Sequence, residues 1–219
     1  MTMRITSLMC LSVALFFTAC TKERTGPELQ DGTSVVIKDL PGDTLANMAG
    51  GSSFKNLYFS FTANDKIEVS TTEKPTLKWD LAFTGPYNSE VFVNDGSYEY
   101  NPGYGGPGKG AVVIIDKPYD QVHEVPTEAQ FEASDFKKIG WDAGNGRGWF
   151  FYSLDNHICV PIKNRTFAIR TATGKYAKLE LINIYKGNPP VVTDLFWPAP
   201  YVTFRYFVQE DGSRNVRTK

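Results

Sequence analysis

The chain has 219 residues, 42% of them hydrophobic and 14% aromatic, with a formal net charge of −1 at pH 7. That length can bury one sizeable core, and near-neutral charge with scattered lysines and arginines gives no electrostatic case for nucleic acid. Two histidines leave little for acid–base chemistry, so no enzyme is expected.

The N-terminus reads as a secretion signal. Arg4 is followed by a short apolar stretch, Leu8 to Phe17, and then by small residues, Thr18-Ala19, before Cys20. The stretch is too short to span a bilayer, and a small residue before a cysteine suits lipoprotein processing. Acyl chains on Cys20 would hold the chain to a membrane, since each buried methylene adds about 0.8 kcal/mol. The alternative is an ordinary secretory signal with Cys20 as a bystander. The lipoprotein reading divides the chain into a signal peptide (1–19), a lipidated flexible tether (20–33) and one β domain (34–219). Thr21-Lys22-Glu23-Arg24 is either an export tag to the cell surface or a plain polar tether. Outer-membrane attachment through the lipid alone, with the domain displayed outside the cell, is expected. Cleavage removes Arg4, leaving 22 basic residues against 24 acidic ones, a net charge of −2. Cys10 leaves with the signal, so Cys159 stands alone and no intrachain disulfide is expected.

From residue 34 onward the pattern has period two, the signature of half-buried strands. Leu77, Trp79, Leu81 and Phe83 alternate with Lys78, Asp80, Ala82 and Thr84. Ala177, Leu179 and Leu181 alternate with Lys178 and Glu180, and Val202, Phe204, Tyr206 and Val208 with Thr203, Arg205 and Phe207. Further strands are expected at 34–38, 57–62, 66–70, 91–94, 111–115, 149–153 and 166–171. Turns are expected at Asn94-Asp95-Gly96, Thr173-Gly174 and Asp211-Gly212. One short helix should begin at Thr127, with Gln130 completing a capping box. The result is a mainly β, single antiparallel β-sandwich-like domain with one short helix.

Motifs for chemistry fail in turn. Gly103 to Lys109 imitates a phosphate-binding loop, but Gly110 stands where Ser or Thr must hold Mg²⁺, and a strand follows instead of a helix. His123-Glu124 lacks a second histidine at helical spacing, and the sequence holds no nucleophile elbow.

From residue 76 onward the sequence resembles the HmuY family of haem-binding surface lipoproteins. The resemblance rests on Trp79-Asp80-Leu81-Ala82-Phe83, Gly110-Ala111-Val112-Val113, and Tyr119-Asp120-Gln121 leading into Val125-Pro126-Thr127. It continues in Phe167 to Leu179, and in Thr203-Phe204-Arg205-Tyr206 before Asp211-Gly212-Ser213. It implies a mostly β fold and iron acquisition: capture of haem and its delivery to a TonB-dependent outer-membrane transporter. It also implies two axial ligands, His or Met, one from the segment after Val-Pro-Thr and one from the loop before the 165–171 strand. Here Glu128 to Gly148 contains neither residue type, whereas the second loop holds His157.

The axial-ligand candidates are therefore His157 and His123, with a solvated surface histidine as the default reading of each. Trp141, Trp149, Phe150, Phe151 and Tyr152 could wall a porphyrin pocket or pack a core. Cys159 reads as a small hydrophobe, and no metal other than haem iron is expected. A non-haem reading stays open: a glycan-binding protein or adhesin on the same scaffold, using Tyr98, Tyr100 and Tyr104.

Overall fold

The computed structural model describes residues 28–46, 48, 51 and 53–219. The expected signal peptide, Cys20 and most of the expected tether lie outside the described residues. Among those described, no helix is long and apolar enough to cross a membrane.

Among the described residues eleven strands form, all paired antiparallel within their sheets. The larger sheet has the order β1-β11-β10-β9-β6, from β1 (Val35–Pro41), β11 (Tyr201–Gln209), β10 (Tyr176–Asn183), β9 (Thr166–Arg170) and β6 (Ala111–Ile115). The smaller has the order β3-β2-β4-β5, from β3 (Asp65–Ile67), β2 (Leu57–Ser60), β4 (Leu81–Thr84) and β5 (Glu90–Val93). A separate hairpin pairs β7 (Phe150–Tyr152) with β8 (Cys159–Pro161). The expected helix is α1, Glu128–Glu132, and Thr127 and Gln130 form its capping box.

One core lies between the two large sheets. Leu57, Phe59, Leu81, Phe83, Val91 and Val93 of the smaller sheet meet Phe167, Ile169, Leu179, Leu181, Phe204 and Tyr206 of the larger. Phe204 sits 5.1 Å from the ring of Phe59 and 5.5 Å from that of Phe83. Each such side chain contributes roughly 1.5–3 kcal/mol by leaving water. The alternation expected in β10 and β11 sends these residues inward. Their opposite face is nevertheless covered too, by α1, the segment after β6 and the C-terminal tail, through Val122, Val125, Phe131 and Val216.

Covering that outer face buries Lys178, which the alternation assigned to solvent. Its ammonium donates to the carbonyls of Tyr119 and Val122 and to Thr218 Oγ1, at 3.0–3.1 Å. The Tyr119 ring meets two cations, Lys178 Nζ and Arg205 Cζ each lying 4.2 Å from its centroid. Burial lowers the Lys178 pKa to about 8, against the opposing pull of Asp31 and Asp120.

The smaller sheet is buried on both faces as well. Trp79 does not continue the Leu81–Phe83 row, because β4 begins only at Leu81 and Leu77 is exposed. The indole instead joins Tyr58, Ala82 and Phe92 on the far face, its Nε1 donating to the Lys74 carbonyl at 2.8 Å. Asn94-Asp95-Gly96 opens a long loop rather than a hairpin, since β5 and β6 belong to different sheets. Thr173-Gly174 does turn β9 into β10, as expected.

Candidate functional site

Loops gather at the two ends of this sandwich. At one end Gly42 donates to the Pro200 carbonyl and Asp43 to Asn88 Oδ1, joining the segment after β1 to those before β5 and β11. Trp149 Nε1 donates to the Ser89 carbonyl at 2.7 Å, and Cys159 N to Tyr185 Oη at 2.9 Å, which fixes the β7–β8 hairpin there. At the other end the 95–110 loop abuts the β9–β10 turn, Lys109 N donating to the Ala172 carbonyl.

The hairpin carries the densest set of candidate residues. Its base is held by Arg165, whose guanidinium meets Asp116, Asp142 and the Gly148 carbonyl at 2.7–2.8 Å. Burial would raise the Asp142 pKa, but Arg165 and the Gly144 and Gly146 amides bring it below the usual value. Above that base, Phe150 and Tyr152 point to one face and Phe151 to the other, as period two requires. The turn closes with Ser153 N on the Ile158 carbonyl and His157 N on the Ser153 carbonyl, both at 2.9 Å. His157 takes a left-handed backbone, φ 57°, which is uncommon outside glycine. That geometry brings its imidazole back to the strand, with Nδ1 2.9 Å from Tyr152 Oη. Trp141 stands edge-on to Tyr152, 6.4 Å between centroids, and is 53% exposed.

Trp141, Tyr152 and His157 thus form one aromatic cluster. Trp149 lies beneath it in the core, 2% exposed, and supports the hairpin rather than presenting a wall. Phe150 is buried beside Trp149, while Phe151, Leu154 and Val160 are exposed on the hairpin's outer side and tip. Burial raises the Tyr152 phenol pKa, with smaller contributions from Cys159 and Tyr87. Cys159 is a free thiol pushed up to about 11 by burial, hence protonated at neutral pH and no thiolate ligand.

His123 belongs elsewhere. It lines an open groove of about 440 Å³ on the outer side of the larger sheet, with Lys117, Val122, Val125, Gln130 and Arg214. Its Nε2 lies 3.2 Å from the Asp120 carbonyl, and no hydrogen bond or ring contact among the described residues links it to His157. No group of three or more His, Cys, Asp or Glu side chains among the described residues could hold a bare metal ion. The Tyr152 partnership escaped the sequence because it spans five residues across a turn, and Tyr185, which anchors β8, lies 26 positions from Cys159.

At the other end, Tyr100 and Tyr104 are 70% and 56% exposed on the 95–110 loop. Asn94 Nδ2 donates to the Thr76 and Trp79 carbonyls, and Asn101 Nδ2 to that of Val93, each at 2.8 Å. Asn94 Oδ1 is a buried acceptor without a conventional partner. A Cβ at Gly103 or Gly108 would come within 2.3 or 2.5 Å of it, so only glycine permits this approach.

A family model for HmuY proteins matches residues 53–193. Among the solved structures similar to this chain are three that each cover 80% of it. One is named as an HmuY-like heme-binding protein from Bacteroides vulgatus (12% identity, 91% of that chain, TM-score 0.40). Another is named as a lipoprotein from Bacteroides fragilis (14% identity, 89% of that chain, TM-score 0.40). The third is the apo HmuY analog of Tannerella forsythia (12% identity, 94%, TM-score 0.38). No curated protein matches the chain.

Proposed function

The chain belongs to the HmuY family, and on that premise we propose that it binds haem at the β7–β8 hairpin. It would act as a lipid-anchored surface protein, tethered through Cys20, that passes haem to a TonB-dependent outer-membrane transporter. The observation that supports the site is the cluster of exposed Trp141 and His157 with half-buried Tyr152, His157 lying in the loop where the resemblance expects a ligand. The residues suit the group. A porphyrin presents broad apolar faces, which Trp141 and the exposed hairpin side chains can cover, and its iron accepts donors such as imidazole and phenolate. The role is binding rather than catalysis. His123 would serve at a separate place, since its groove does not include the hairpin.

A haemin titration of the protein without its signal peptide, followed by absorbance, tests this reading. Saturable one-to-one binding with a shifted Soret band is expected. Absence of saturation would remove haem and favour the second reading, a glycan-binding loop. That reading draws support from Tyr100 and Tyr104, exposed on a loop pinned by buried asparagines and offering flat faces for sugar rings.

A further inference from the structure

We propose that Tyr152 is the side chain that meets ferric haem iron, with His157 as the hydrogen-bond partner that receives its proton. This rests on the haem reading above and specifies its chemistry. Three observations lead to it. Tyr152 Oη and His157 Nδ1 are 2.9 Å apart, so the imidazole's Nδ1 is already engaged by the phenol. Tyr152 is partly buried beside Trp141, whereas His157 is exposed at the turn. Tyr152 therefore offers a donor oxygen beside aromatic surface, whereas His157 would offer its Nε2 at the exposed turn. Finally, Glu128 to Gly148 supplies no histidine or methionine as a second axial ligand.

One anionic ligand meets that shortage. Ferric iron in a porphyrin dianion keeps one positive charge, and a phenolate cancels it where a neutral imidazole does not. Phenolate oxygen is also a hard donor suited to ferric iron, and a single tyrosine holds haem in known proteins. The step balances without redox change: the Fe–O bond forms, the phenol O–H bond breaks, and the proton passes to Nδ1 of His157. Without iron the phenol keeps its proton, which burial favours. Reduction to ferrous haem removes the charge the phenolate matched, so the site should grip ferric haem and release ferrous.

The test is absorbance and resonance Raman spectroscopy of the haemin complex of the wild-type protein, Tyr152→Phe and His157→Ala. The wild type should be high-spin with a phenolate-to-iron charge-transfer band and phenolate ring modes, and dithionite should weaken binding. Tyr152→Phe should lose the band. His157→Ala should keep it while binding about 10-fold more weakly, the lower end for losing a partner that orients a ligand. A low-spin imidazole spectrum that survives Tyr152→Phe and disappears in His157→Ala would overturn the tyrosine assignment while leaving haem binding intact. No saturable binding by the wild type would overturn both. Should Tyr152→Phe fail to fold, the wild-type Raman spectrum decides alone, since phenolate modes are either enhanced or absent.

Discussion

Lys178 illustrates how a single residue departs from its pattern. Period two in Ala177–Leu181 puts it opposite the core, which is where it lies, but a second layer then covers that face. The consequence is a pH dependence. With a folded pKa near 8 and an unfolded value near 10.5, the unfolded chain binds more protons between those limits, so stability rises with pH across that window. Tyr119, Tyr185 and Tyr206, whose phenols burial raises, act in the opposite sense from about pH 10 upward. Urea unfolding should therefore show increasing stability from pH 8 to about pH 9.5 in the wild type. Lys178→Met should flatten that slope and lower stability at pH 7, because three acceptors lose their donor. An unchanged slope would mean that the lysine keeps its ordinary pKa. His157 departs differently: its loop placement was legible, but its bond to Tyr152 depends on a left-handed φ that no spacing rule supplies.

At the scale of the element, strand existence was more legible than strand ends. β6 runs over the expected 111–115, and β9 over 166–170 of the expected 166–171. The expected strand from Leu77 begins four residues late, at Leu81, the first residue there with cross-strand partners, Phe59 and Val93. β8 went unforeseen, because a three-residue strand is too short to display a period. The hairpin that contains it depends on a buried pair at its base, Arg165 with Asp142. Asp142→Asn should destabilise the protein by about 2 kcal/mol, less than the 3–5 kcal/mol typical of breaking a buried pair, because Asp116 still faces the guanidinium. Chemical denaturation measures the loss, and haemin affinity should fall with it as the hairpin loosens. A loss below about 0.5 kcal/mol, typical of an inert surface site, would assign the hairpin's position to packing instead.

For the whole molecule, the division of loops between two ends makes the haem and glycan readings separable. The hairpin cluster sits with Asn88, Pro200 and Tyr185, and the tyrosine loop with the β9–β10 turn. Distant substitutions without shared partners act independently. Tyr100→Ala combined with Tyr104→Ala should thus leave the haemin dissociation constant within about twofold of the wild type, because no contact carries the change across. A larger shift in the titration would mean that the two ends communicate. Both loop sets are fixed by side chains reaching a main chain far along the sequence, such as Trp149 to Ser89 and Asn94 to Thr76.

The sequence by itself determined the β class, the capped helix, and the family resemblance that the match over residues 53–193 bears out. These depend on local period, composition and motif order, all of which are properties of neighbouring residues. Only the tertiary structure decided that Lys178 is buried, that Trp149 supports the core, that His123 and His157 belong to different places, and that His157 faces Tyr152. Each of these depends on which surfaces meet when two sheets, a hairpin and a chain terminus pack together, and contacts of that range leave no periodic trace in the chain.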